Sequence, residues 1–185
     1  MDAEAKARAL AYLERSGTRL PLAQLREKLA AVFRGIEALL ATIDESEARR
    51  RPLPGRWCVQ EVADHLIESH RPAIAQLRAA LAGVDPGAAI PAHLQSEQPL
   101  AAPFREKVAT LAEVHRGLEA LFDSAPEDPV TTRRIPIAMV LKVDEGRLLE
   151  WTEELDFKAY LQGVRVHTLE HQAQIERTLA AVRSA

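Results

Sequence analysis

From Leu22 onward an apolar residue returns at every third or fourth position: Leu22, Leu25, Leu29, Val32, Phe33, Ile36, Leu39, Leu40, Ile43. That period draws one apolar stripe along a helix of several turns, and such a stripe must be buried against others of its kind. The pattern recurs. Val62, Leu66, Ala73, Leu77 and Ala80 mark a second helix from about Cys58 to Ala82. Pro72 lies inside it and predicts a kink or short interruption, because proline cannot donate to the helical ladder. A third helix, about Phe104 to Phe122, carries Phe104, Val108, Leu111, His115, Leu118 and Phe122. A fourth runs from about Thr152 to Val182. Thr152 is a fair N-cap there, with Glu153 and Glu154 in the first turn, where the helix dipole favours acids. The apolar 47% is rich in Ala and Leu, which are helix formers. The expected fold is all-α, a four-helix bundle with a long crossover connection.

The segments between the stripes are of different kinds. Asp44–Pro54 is polar and ends in a break. Gly83–Pro103 holds Pro86, Pro91, Pro99 and Pro103, a length that suits a crossover, a lid over a site or disorder. Ile135–Val143 is apolar and precedes the turn Asp144-Glu145-Gly146. It reads as a short strand, a hairpin arm or an apolar pad on the bundle. Met1–Ser16 reads as a short helix ending at Gly17. The expected organisation is an N-terminal extension over residues 1–18 and a bundle domain over 19–185.

Composition removes several function classes. The net charge is −3 with interspersed signs, unlike the basic footprint of a nucleic-acid binder. Arg49-Arg50-Arg51 is one short cluster, expected as a solvated turn. The apolar runs fall far short of the roughly 20 residues of a membrane span. The first ten residues, MDAEAKARAL, hold no apolar signal core. Cys58 is the only cysteine, so no internal disulfide can form, and a reducing, cytoplasmic setting fits.

The last helix contains the most informative residues. Stepping about 100° per residue from Val164, Phe157 and Ile175 fall near ~20°, His171 near about −20° and His167 near about −60°. Both histidines therefore lie on the apolar stripe. Burying a polar ring without a partner costs on the order of 1–3 kcal/mol. Core packing with carbonyl or carboxylate partners is one explanation. The other is a shared metal ion, because residues four apart project from one face. A third donor is then needed. His93 lies in the Pro-rich connection and is expected to be exposed. His115 sits on a stripe. His65 and His70 are five apart, about 140° around a helix, so they do not readily serve one ion together. Periodicity leaves His65, His70 and His115 open.

The stretch PLPGRWCVQEVADHLIESHR, Pro52–Arg71, resembles the signature of the DinB/YfiT-like superfamily. The resemblance rests on Trp57, a small capping residue at Cys58, Glu61 three later, and His65-Leu66. The H-x-x-x-H of the last helix is matched by His167 and His171. It covers the chain from about Leu20 onward. It implies a four-helix bundle, often dimeric, with a divalent metal held by His65, His167 and His171. It further implies a small-molecule substrate and, in some relatives, S-transferase or isomerase chemistry on a low-molecular-weight thiol such as mycothiol or bacillithiol. Others are hydrolases. Two positions depart from the pattern: Cys58 stands where serine is common, and His70 where an acid is frequent. Cys58 is either a packed small residue or a thiol activated at a helix N-terminus. His70 is either surface or pocket edge.

Three neutral imidazoles would leave a divalent ion its full charge and an open position, the catalytic rather than the structural arrangement. Nitrogen donors suit Zn, Ni, Fe or Cu and do not select among them. HTLEH also fits the inverted zinc-protease motif H-x-x-E-H. Glu170 points about 120° off the stripe, however, and few residues remain to supply that class's further ligand. Two non-catalytic readings stand beside the enzyme: a bundle binding a small apolar ligand over a vestigial site, and a dimeric interaction protein whose histidines only pack.

Overall fold

The computed structural model describes residues 2–127, 129, 133–143 and 146–184. The four predicted stripes become four long helices: α2 (Leu22–Leu40), α4 (Val59–Leu81), α5 (Phe104–Ser124) and α6 (Phe157–Arg183). A helix α1 (Asp2–Leu13) precedes them, and a single-turn α3 (Glu45–Arg49) lies between α2 and α4. The sequence reading missed α3. Its start is a capping box, with Asp44 Oδ1 accepting from the Glu47 N–H at 2.8 Å, but five residues are too few to draw a stripe.

The long helices form a square. α4 packs principally on α5 and α6, and α2 on α5 and α6. Consecutive α2 and α4 thus sit on one diagonal, and α5 and α6 on the other. A diagonal cannot be crossed by a tight turn, so both connections are long. One runs through α3. The other contains an antiparallel hairpin of β1 (Ile135–Lys142) and β2 (Leu148–Leu155), with Ile135 opposite Leu155 and Lys142 opposite Leu148. The apolar run at Ile135 is therefore a hairpin arm. Of the expected turn, Asp144 and Glu145 lie outside the described residues.

Two helix expectations need correction. The last helix starts at Phe157, not Thr152, which lies in β2. Asp156 is the N-cap, its Oδ1 accepting from the Ala159 N–H at 2.9 Å. Pro72 does not interrupt α4. Pro72 and Glu68, whose carbonyl loses its N–H partner, are both only half-buried, so solvent can serve that carbonyl. The three arginines at 49–51 are exposed as expected, yet they also bind protein: Arg50 donates to the Val182 carbonyl at 2.5 Å, and Arg51 pairs with Glu61. No helix among the described residues is long and apolar enough to cross a membrane.

The N-terminal segment docks on α6 through a turn of π-helix, Glu14–Thr18. Thr18 Oγ1 donates to the second oxygen of the capping Asp156 at 2.5 Å. Gly17 is buried against α6, and a Cβ there would lie 2.8 Å from Ala159 Cα. Backbone cannot yield as a flexible side chain does. Gly17→Ala should lower stability by about 1–3 kcal/mol, the usual effect of overpacking, read as a fall in melting temperature.

Candidate metal centre

The apolar interior separates into two clusters, and histidines fill the level between them. On α2 the division falls between Phe33 and Ile36, on α4 between Ile67 and Ala73, on α5 between Val114 and Leu118, and on α6 between Val164 and Ile175. His70, His115, His167 and His171 occupy these gaps, and His65 joins from the preceding turn of α4. The rings touch in series: His171 and His65 against His167, His167 against His70, and His70 against His115.

His65, His167 and His171 come together. His65 Nε2 lies 2.9 Å from His167 Nε2, and His171 Nε2 lies 3.0 Å from the same atom. All three nitrogens are within 4.8 Å of one another. The outer edges of two rings fix the protons. His65 Nδ1 donates to the Leu94 carbonyl at 2.7 Å, and His171 Nδ1 donates to Gln174 Oε1 at 2.8 Å. Each neutral ring has one N–H, so both Nε2 atoms carry bare lone pairs. His167 Nε2 has at most one proton to offer them. At least one close approach is therefore lone pair against lone pair. A cation at the centre removes that repulsion. Tetrahedral bonds of 2.0–2.1 Å place such nitrogens roughly 3.3 Å apart, a few tenths beyond the observed spacing. The donor set fits a divalent ion.

Burial also keeps these rings neutral. It is the first cause of the lowered pKa at His65, His70, His115, His167 and His171, with neighbouring histidines adding to it at all but His115. His171 falls from 6.5 to about 4. His167 and His171 retain some accessible surface, but it opens on a cleft rather than on bulk solvent.

That cleft measures about 1360 Å³ and runs from the histidines between α1, α6, the hairpin and the 90–93 segment. Its walls include Ala5, Tyr12, Ile90, Ile137, Met139 and Val164. Glu170 and Arg177 stand on the α6 side. Glu170 is solvent-exposed, yet the surrounding protein still raises its carboxyl pKa. Trp57 packs its ring against His65 with centroids 5.2 Å apart.

The remaining candidates are placed differently. His115 stands apart from the trio: its Nδ1 bonds Glu37 Oε1 at 2.6 Å, and its ring stacks on Phe33 at 3.9 Å. His70 is not surface: it is 1% exposed, lines the cleft beside His167, and neither ring nitrogen has a hydrogen-bond partner among the described residues. Cys58 is fully buried at the α4 N-cap, and burial pushes its thiol pKa up, the opposite of an activated thiol. His93 is exposed, as expected, and sits edge-on to Trp57. The sequence reading missed Gln174 and Leu94. Gln174, one turn beyond His171, had a spacing signal; a backbone carbonyl such as that of Leu94 has none.

These pKa directions set a stability profile for the metal-free protein. The unfolded chain takes up protons below pH 6.5, while the folded rings resist until much lower, His171 to about 4. Stability is therefore full above about pH 6.5 and falls as pH drops toward 4. Urea midpoints measured across that window should decline steadily. His70→Phe removes two unpartnered nitrogens and should raise stability by on the order of 1 kcal/mol at pH 7.5, with a shallower decline in acid.

A model of the DinB superfamily matches residues 22–175. Among solved structures, the chain resembles YfiT from Bacillus subtilis, described as a probable metal-dependent hydrolase with an unusual four-helix bundle topology. The two are 18% identical with a TM-score of 0.56, over 83% of this chain and 85% of YfiT, a likeness that speaks for the fold. No curated protein matches the sequence. The signature at Trp57–Leu66, the histidine pair on α6 and the diagonal bundle thus agree with the matched span, and the chain belongs to the DinB superfamily.

Proposed function

We propose that His65, His167 and His171 hold a divalent metal ion and that the chain is a metal-dependent enzyme acting on a small molecule, with hydrolysis as the principal reading. The observation that carries it is the meeting of three imidazole nitrogens with too few protons to bond one another. The description of YfiT points the same way. A divalent ion on three neutral imidazoles supplies Lewis acidity with an open coordination position. The chain's own residues orient and exclude. Leu94 and Gln174 hold two rings in the tautomer that points Nε2 inward. Trp57 covers His65 from solvent. Ile137, Met139 and Val164 give the substrate's apolar body a wall. Glu170, with its raised pKa, is placed in the same cleft to hold or release a proton.

The volume of the cleft favours a second reading, transfer to a low-molecular-weight thiol, because it has room for a substrate and a cosubstrate together. Conjugation of a thiol to an electrophile, against hydrolysis of esters and amides, separates the two.

Metal content of protein purified without an affinity tag tests the common premise. One equivalent of metal per chain is expected, and His167→Ala should abolish it while His93→Ala keeps it. Metal at 100 times its dissociation constant should add about 2.7 kcal/mol of stability, reversed by chelator. Retention of that increment by His167→Ala would count against the site.

A further inference from the structure

We propose that Asp64, whose side chain lies outside the cleft lining and bonds to none of the three histidines, is the positioning residue that sets the tautomer of His65 by tying down the segment that carries the Leu94 carbonyl. This rests on the metal reading only for its consequence in affinity; the positioning itself is a property of the chain.

His65 cannot choose its proton position alone. In water a neutral imidazole prefers the proton on Nε2, the nitrogen that here has to be bare. The Leu94 carbonyl, 2.7 Å from Nδ1, reverses that preference. Ser69 Oγ, at 3.4 Å from the same nitrogen, is no competitor, since it donates to the His65 carbonyl at 2.7 Å. Leu94 belongs to a connection of some twenty residues with little regular structure, and such a carbonyl stays in place only if the segment around it is held.

Asp64 supplies the hold. One carboxylate oxygen accepts from the Ser96 backbone N–H at 2.8 Å and the other from Ser96 Oγ at 2.8 Å. Gln95 adds a bond to the Glu61 carbonyl at 3.0 Å. Asp64 is 0% exposed, so its charge needs compensation, and Lys107 of α5 provides it. A buried carboxylate paired with a lysine is an expensive way to fasten a loop. Its position explains it. Asp64 directly precedes His65 on α4, so the helix that presents the ring also holds the segment that orients it. The path is Lys107, Asp64, Ser96, Leu94, His65, and no member except the last has contact with His167 or His171 among the bonds described.

The test uses Asp64→Ala and Asp64→Asn, each combined with Lys107→Met so that neither leaves a buried lysine unpaired. Asparagine keeps an oxygen for the Ser96 N–H; alanine keeps nothing. Nitrogen-15 spectra of histidine-labelled, metal-free protein at pH 7.5 read each ring's tautomer. The Asn double variant should retain Nδ1–H at His65. The Ala double variant should shift His65 toward Nε2–H while His115, held by Glu37, stays unchanged. Zinc affinity by titration should fall 10- to 100-fold in the Ala variant relative to the Asn variant. Unchanged tautomer in the Ala variant, or equal loss of zinc affinity in both, would overturn the assignment. If wild-type protein binds no zinc, the metal reading fails, and the tautomer spectra still decide the role of Asp64. Ser96→Ala, which removes only the hydroxyl bond, gives the same comparison in a milder form should the double variants fail to fold.

Discussion

A belt of imidazoles has to remain uncharged in the middle of this bundle. Five rings interrupt what would otherwise be one apolar core, and each long helix is apolar above and below that level. A charged ring there would face other rings and little water, so burial and mutual proximity depress their basicity together. Neutrality in turn fixes what the rings can do. A neutral imidazole has one donor and one acceptor, and once its outer nitrogen is engaged the inner one is committed. His65, His171 and His115 are all engaged this way. His70 is not, and its nitrogens stand as unrelieved polarity in the core.

The helix that carries His65 is fastened at both ends of its first turns. Glu61 accepts from the Cys58 N–H at 2.9 Å and also pairs with Arg51, which fixes the entry of α4. Gln60 donates to the Ala102 carbonyl at 2.8 Å, and Gln76 to that of Ala88 at 2.7 Å. With the Ser96 bonds, these attach the Pro-rich connection to α4 along much of its length. A segment that sequence alone leaves open as crossover, lid or disorder is, from Ala88 to Ala102, a strap bonded to the bundle.

Much of this was legible in the sequence because burial on a helix has a period. The stripes of α2, α4 and α5 were read nearly to their ends, and the spacing of His167 and His171 marked them as neighbours. What failed was whatever depends on distant partners. Thr152, Glu153 and Glu154 imitate a helix start, and only pairing with β1 makes them a strand. His65, His70 and His115 all point inward, so angle on the helix wheel could not separate them. What separates them is height along the bundle and the identity of the facing helix, which no single stripe encodes. The family signature singled out His65, whose Nε2 lies 2.9 Å from that of His167.

The cleft is built from two sources. Its floor, with the histidines, comes from α4 and α6 within the matched span, whereas one wall is α1, which precedes residue 22. Lys6 lies over the Trp151 ring and Asp2 pairs with Arg147, so α1 clasps the hairpin opposite. The histidines and one wall of their cleft are thereby drawn from separate stretches of polypeptide. Substitutions along α1 can therefore reshape that wall while leaving every nitrogen of the histidine trio where it is.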